Sequence, residues 1–373
     1  MKILHLIDSL DYHASARQLQ LLGPALADER TTVEVCCLGL DTPWSASLRQ
    51  ANVAVHALGW TRWFDFSALW NLREILRRTT FDVIHVWRLP ALRALAIVAK
   101  NLLPRVVMSA ALPTAGKLAW WDRRLLAQVR CLTVAGVSDQ DRCERLGITA
   151  PVLRVVPPAV EKRCQDPFLK KGPDTFFRIA CVGGLERQAG FRQAIWAFDF
   201  VRHVFPDAAL QVVGAGSQLV GLRALAHGLE CHAQVQFLGA HAEAETVLRD
   251  ADIVWAPSQA NTGRQVALEA MSRGRVVIAS DVPCLREVLQ DGATGYLIPV
   301  GDVVQTVRRT NWLLQDGPLR ERIGEAARQH VQQHFPLDAI VARWRDVYRS
   351  VAAKRKMGSL LFPLPFAPLR TKI

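Results

Sequence analysis

Nowhere does this chain offer about eighteen consecutive uncharged apolar residues, the length a membrane-crossing helix needs. The richest apolar run, ALRALAIVAK at 91–100, is cut by Arg93 and Lys100. No spanning helix is expected. The opening MKILHLIDSL has one basic residue and an apolar run too short for a secretory signal, closed by Asp8, so it reads as a first strand. Metal-type cysteine pairs are missing as well: eight cysteines stand at 36, 37, 131, 143, 164, 181, 231 and 284 with no C-x-x-C and no histidine at ligand spacing. Most lie in apolar runs such as VEVCCLGL and RIACVGG, where cysteine packs as a small hydrophobe. They are expected to be reduced, which places the chain in the cytoplasm. Acidic residues are also in short supply, 34 against 46 Lys and Arg, for a net charge of +12. Such an excess suits nucleic acid, an anionic membrane or phosphorylated small molecules. The basic residues are spread over helical stretches such as LREILRRTT and WWDRRLLAQVR rather than interleaved with glycine and aromatics, so nucleic acid is not expected as a partner.

What is present is alternation. At 373 residues the chain exceeds what one hydrophobic core usually serves, and short β-branched runs alternate with amphipathic stretches from end to end. Strands are predicted near 2–7, 32–38, 53–58, 82–87, 105–109 and 131–137, with helices between them. Ser15, followed three residues on by Gln18, reads as a capping box that starts a helix near Ala16 and leaves the loop DSLDYHA at the end of the first strand. The segment KRCQDPFLKKGPDTFF at 162–177 breaks the periodicity with charge, proline and glycine, and is taken as the linker. Beyond it, strands are predicted at 178–183, 210–214, 234–238, 253–256, 276–279 and 295–298, with helices at 190–204, 217–228, 243–249, 265–273 and 284–290. Three helices, 303–315, 317–333 and 337–351, close the chain. The expected architecture is α/β: two facing, doubly wound Rossmann-like domains, 1–165 and 166–336, with helix 337–351 and the tail packing back on the first. Ligands of such sheets sit beyond the carboxyl ends of the strands, so chemistry is expected in the interdomain cleft.

GAGSQL at 214–219 follows a strand and opens a helix, but Leu219 holds the place of the third glycine of a dinucleotide fingerprint and no suitably placed acid follows. It reads as a tight turn at Gly214 and Gly216. DQD at 139–141 and DAD at 250–252 imitate a metal-binding pair, yet both fall where a helix cap or strand entry wants aspartate.

The run ADIVWAPSQANTGRQVALEAMSRGRVVIASDVPCLREVLQDGATGYLIPVGD at 251–302 carries more. Its strand ending in Pro257-Ser258, LEAM ahead of a glycine, the S-D-V-P turn, Glu287 before DGATGYL, and GD at 301–302 resemble the donor-binding half of retaining glycosyltransferases of family 4, which have the GT-B architecture. KILHLI, FDVIHVW, AGVSDQDRCERLGI, IACVGGLERQAGFRQAIWAF, LQVVGAG and VQFLGAH stand in that family's order, so the resemblance covers nearly the whole chain. It implies transfer of a sugar from a nucleotide-sugar donor to a saccharide or lipid-linked acceptor with retention, without metal or other cofactor. It implies that Glu269 holds the ribose, since an ionised carboxylate only accepts and its oxygens can take both hydroxyls of a diol. Ser258 and the turn at Gly183 and Gly184 would line the donor site together with Gly214 and Gly216. Asn261 would contact the donor sugar, and Arg264 or Arg187 would neutralise the diphosphate.

The sequence also departs from the family. Asn261 replaces a glutamate, Gly184 an arginine and Ala189 a lysine. His13 and Ala14 replace a glycine pair, Pro158-Ala159-Val160-Glu161 replaces an N-G-V-D turn, and Trp87 replaces the second histidine of H-x-H. His85 shares a strand face with Trp87, so it reads either as a catalytic group facing the sugar or as a satisfied core histidine. A rival expectation is therefore a catalytically silent homologue that binds a nucleotide, a saccharide or a partner subunit, and a third is an epimerase. WTRWFDFSALWNLREILRR and KLAWWDRRLLAQVR combine tryptophan with arginine, the composition of a helix at a lipid interface, so an anionic membrane surface is a further expected partner. The tail AAKRKMGSLLFPLPFAPLRTKI pairs basic residues with a proline-broken apolar stretch.

Overall fold

The computed structural model describes residues 1–11, 13–60, 66–109, 118–161, 176–239, 244–260 and 262–359. The first sheet is built from β1 (Lys2–Ile7), β2 (Thr32–Cys37), β3 (Ala54–Ala57), β4 (Val83–Val86), β5 (Val106–Ser109), β6 (Cys131–Val134) and β7 (Leu153–Val155). They pair in parallel in the order β3-β2-β1-β4-β5-β6-β7. The helices α1 (Ala14–Leu26), α2 (Pro43–Gln50), α3 (Phe66–Arg78), α4 (Leu89–Ala99), α5 (Trp120–Leu126) and α6 (Val137–Arg145) make the crossovers. The second sheet, β8 (Arg178–Val182), β9 (Ala209–Val213), β10 (Val235–Gly239), β11 (Ile253–Ala256), β12 (Val276–Ser280) and β13 (Tyr296–Ile298), is parallel in the order β10-β9-β8-β11-β12-β13. Its helices are α7 (Phe191–Val204), α8 (Leu219–Gly228), α9 (Ala244–Asp250), α10 (Arg264–Ser272) and α11 (Pro283–Arg286), followed by α12 (Val303–Gln315), α13 (Gly317–His334) and α14 (Leu337–Ser359). Helices cover both faces, so central strands such as VVIAS are buried along their whole length and read as continuous apolar runs.

Four local expectations need correction. The capping box at Ser15 and Gln18 is absent: α1 starts at Ala14, and the His13 ring accepts the Ala16 amide. The Gln18 side chain instead bonds the Ala159 backbone in both directions. Strand β7 was not predicted, because it has three residues and an exposed Arg154 at its centre. Helix 284–290 shrinks to the single turn of α11. The last helix runs to Ser359 rather than 351, since AAKRKM consists of good helix formers and no proline intervenes before Pro363.

Helix α14 lies against the first sheet, where Ile340, Val341, Trp344, Val347, Tyr348 and Val351 join the core between β1 and α1. Helix α13 packs on the second domain through Ala327 and Val331. The chain therefore passes between the domains after Val160 and again at Pro336, and a backbone bridge joins those two residues.

Under α14, His5 and His85 sit side by side on β1 and β4, both fully buried. The Trp87 Nε1–H donates to His5 Nδ1 at 3.0 Å, while His85 Nδ1 and Nε2 lie 2.7 Å from the Tyr348 hydroxyl and 2.8 Å from Ser109 Oγ. Burial pushes the His5 imidazole down to about 3, and burial with neighbouring His5 holds His85 well below the usual range. Both are neutral when folded but titrate near 6.5 when unfolded, so the stability they contribute is complete above that pH and is lost as pH falls toward the folded value. Lowering pH from 7 to 5 is expected to cost roughly 2–4 kcal/mol. Urea titrations at the two pH values check this, and an unchanged midpoint would contradict it.

Candidate functional site

Between the carboxyl edges of the two sheets lies a cavity of about 510 Å³. From the first domain it is lined by the start of α1 (His13, Ala14, Arg17, Gln18), by Trp87 at the end of β4 and by Thr133 at the end of β6. From the second domain come the turn at Gly183 and Gly184, Ser258, and the first turn of α10. These positions follow the topology, because the strand order reverses beside β1 and β8 and opens a crevice there in each sheet.

Glycine fixes the loop that carries Gly183 and Gly184. Gly190, the N-cap of α7, has φ of +79°, and a Cβ there would fall 1.7 Å from the Pro257 carbonyl oxygen. Gly214 and Gly216 do not line the cavity, against expectation. They stand behind the loop, where a Cβ would meet Gly183 O at 1.9 Å or Leu185 O at 2.5 Å. Their role is to let two turns approach closely. Gly184 and Ala189 do line the cavity but bring no cation. Arg187, expected to neutralise phosphate, is exposed and lies outside the lining, between Glu186 and Gln188 that belong to it. Asn261 lies outside the described residues. Ser258 is buried in the wall, its hydroxyl 2.7 Å from the Ala260 carbonyl and 2.5 Å from Thr262 Oγ1.

Arg264 also lines the cavity, but its guanidinium is engaged elsewhere. Nη1 donates to Asp139 Oδ2 at 2.7 Å, Nη2 to Glu287 Oε2 at 2.8 Å and to Ser138 Oγ at 3.2 Å, and Nε to the Cys284 carbonyl at 3.3 Å. Asp139 thus serves an ion pair with Arg264. Glu287 completes the contact, accepting the Ser138 amide at 2.6 Å near the start of α6. This approach depends on Gly136, where a Cβ would fall 1.8 Å from Glu287 Oε2. Arg264 therefore bridges the domains at the cavity wall.

Glu269 is 1 % exposed and does not itself line the cavity. Its Oε1 accepts Arg17 Nε at 2.8 Å and Gln265 Nε2 at 2.8 Å. Gln265 faces the cavity and in turn accepts Gln18 Nε2 at 2.9 Å, so Glu269 stands one hydrogen bond behind the wall. His85 lies deeper still: both ring nitrogens are taken and it does not reach the cavity, so it is a satisfied core histidine and not a group facing the reacting sugar. Its strand neighbour Trp87 does line the cavity. Burial, followed by the charge of Arg88, lowers the His13 imidazole, which keeps its Nδ1 free to accept the Ala16 amide.

Sequence reasoning missed Arg17, Gln18 and Gln265. The signal was the buried quartet Ala16-Arg17-Gln18-Leu19, in which two long polar side chains interrupt the inward face of α1. Among the described residues no group of three His, Cys, Asp or Glu assembles to hold a metal ion.

The arrangement has counterparts in known proteins. Residues 15–163 match the family described as Glycosyltransferase Family 4, and residues 166–330 the family described as Glycosyl transferases group 1. The N-acetyl-alpha-D-glucosaminyl L-malate synthase of Bacillus anthracis is 32% identical over 154 residues, 41% of this chain and 40% of that protein. The phosphatidyl-myo-inositol mannosyltransferase of Mycobacterium leprae is 33% identical over 170 residues, 45% of this chain and 44% of that protein. Both matches span less than half the relative's length. Anabaena Alr3699/HepE, solved with UDP-glucose, superposes with a TM-score of 0.79 at 19% identity, covering 94% of this chain and 100% of that one. The sucrose-phosphate synthase of Thermosynechococcus elongatus gives 0.76 at 19% identity, covering 95% and 100%.

Proposed function

The chain belongs to the GT-B glycosyltransferases of the family 4 kind, and from that premise we propose that it moves a sugar from a nucleotide-sugar donor to a saccharide or lipid-linked acceptor, with retention of configuration and without a metal. One observation carries the reading: two helix N-termini open onto the same interdomain cavity without a side-chain cap among the described residues. Both α7 and α10 begin at a glycine N-cap in the left-handed region, with no side-chain cap and no acid in the first turn. The unsatisfied amides and the helix dipole make each end a site for negative charge. A donor diphosphate fits that pair.

Such a site must do without the cations at 184 and 189. Since one lost charge-stabilising donor commonly raises a barrier by roughly 3 kcal/mol, turnover is expected to be slow. The departing phosphate itself would assist deprotonation of the acceptor. The intact cavity and the matches of both halves favour the transferase over a silent homologue. Calorimetric titration with UDP- and GDP-sugars tests the proposal: one of them should bind and be hydrolysed slowly without acceptor. If none binds, the reading fails; conversion of donor to an isomer would indicate an epimerase instead.

The first domain also presents aromatics to solvent. Phe66 and Trp70 on α3 are 78% and 66% exposed, and Trp120 and Trp121 on α5 are 67% and 53% exposed. Phe66 and Trp120 begin the helices that follow β3 and β5, and exposed Arg73, Arg77, Arg78 and Arg124 share the same helices. Among the described residues no helix is long and apolar enough to cross a membrane. Docking on an anionic lipid surface at the cytoplasmic side would bring a lipid-linked acceptor to the cleft. The protein should pellet with phosphatidylglycerol vesicles at low salt, and Trp120→Ala/Trp121→Ala should weaken this. Failure of the unmodified protein to pellet removes the membrane from the account.

A further inference from the structure

Resting on the donor-binding reading above, we infer that Arg17, from the opposite domain, is the positioning residue that holds Glu269 ionised and oriented for the ribose diol. Arg17 projects from the first turns of α1 and is 6% exposed. It meets carboxylates from three directions: Nε bonds Glu269 Oε1 at 2.8 Å, Nη1 lies 2.8 Å from Glu245 of α9, and Nη2 lies 3.8 Å from Glu161 of the first domain. Gln20 accepts from Nη1 at 3.2 Å, and Arg273, 4.0 Å from Glu245, bonds the Glu269 carbonyl at 2.8 Å.

Within this cluster Glu269 is the deeply buried carboxylate, whereas the side chains of Glu161 and Glu245 are 39% and 33% exposed. A carboxylate buried to that degree stays charged only beside a fixed positive group, because desolvation favours its neutral form. Arg17 is that group. The geometry also decides which oxygen is uncommitted, one hydrogen bond behind the cavity wall. Oε1 is held by Arg17 and Gln265, while Oε2 is buried with no hydrogen-bond partner among the described residues. An ionised Oε2 keeps its lone pairs for hydroxyl donors, whereas a protonated carboxyl would spend one oxygen as a donor. The cluster holds two arginines and three carboxylates, a net negative charge that favours the neutral ribose over the diphosphate at this end of the site. Donor recognition thereby needs both domains, since the carboxylate comes from one and its counter-charge from the other.

The test compares Arg17→Gln and Arg17→Lys in the full chain, with folding checked by thermal denaturation and donor affinity measured by calorimetry from pH 6 to 9. Arg17→Gln is expected to bind the nucleotide sugar at least about tenfold more weakly at pH 7 and to regain affinity as pH rises, because Glu269 would have lost its counter-charge and would ionise only at higher pH. Arg17→Lys should restore most of the affinity with a flat profile. A merely structural role would instead weaken binding equally at every pH, with no rescue by lysine, and that result overturns the assignment. So does full affinity in Arg17→Gln while the unmodified protein binds normally. Should the glutamine variant not fold, the lysine variant decides alone: loss of affinity beyond about tenfold in a folded protein refutes a charge-holding role. If the unmodified protein binds no nucleotide sugar, the donor reading fails, and this assignment with it.

Discussion

Glu269→Ala is expected to abolish nucleotide-sugar binding and to destabilise the fold at the same time. The first effect follows from the loss of the carboxylate that would take the ribose. The second follows from burial: Arg17 would lose its partner on α10, and Gln265 the acceptor for its amide. Breaking a buried ion pair by removing one partner typically costs about 3–5 kcal/mol. The low end applies here, because Glu245 would still face the guanidinium at 2.8 Å. Glu269→Gln separates the two effects, since it keeps the shape and a hydrogen-bonding oxygen while removing the charge. Calorimetry and urea midpoints on both variants give the answer. Donor affinity surviving in Glu269→Ala would remove this residue from the site.

The second large effect is expected at Arg264, and it distinguishes two roles. A diphosphate ligand, when deleted, would take donor binding with it and leave stability almost untouched. A domain bridge does the reverse. Arg264→Ala would leave Asp139 and Glu287 facing each other across the gap without their shared cation, with side chains only 17% and 26% exposed. A loss of roughly 2–4 kcal/mol is expected, with donor affinity held within about tenfold. Arg264→Ala/Asp139→Ala should cost less than the sum of the single changes, by about 1–3 kcal/mol of coupling. Additive losses would show that the pair does not act as one.

The site was only half legible in the sequence, for a reason of distance along the chain. Arg264 and Glu269 stood out through the resemblance of the run 251–302 to family 4. Their partners Asp139 and Arg17 lie 125 and 252 residues away, and no local pattern announces such pairings. His85 misled in the same way. Alternation on β4 placed it with Trp87, but only the packing of α14, through Tyr348, shows that the histidine is covered. Gly214 and Gly216 were recognised as turn glycines, while the surface they turn toward belongs to another loop. Central parallel strands such as β12 were readable because burial on both faces writes them as unbroken apolar runs, whereas β7 was missed because it has three residues with a charged one at its centre.

The contact between Val160 and Pro336 has a mechanical consequence. A single tether between two bodies permits them to swing, slide and twist, whereas two tethers far apart would clamp them. Here both passages of the chain meet at one spot, and at the cavity the domains are joined by the bonds of Arg17, Gln18, Ser138 and Arg264. Once the contacts at the cavity let go, that spot is the pivot left to the two domains, as at the spine of a book.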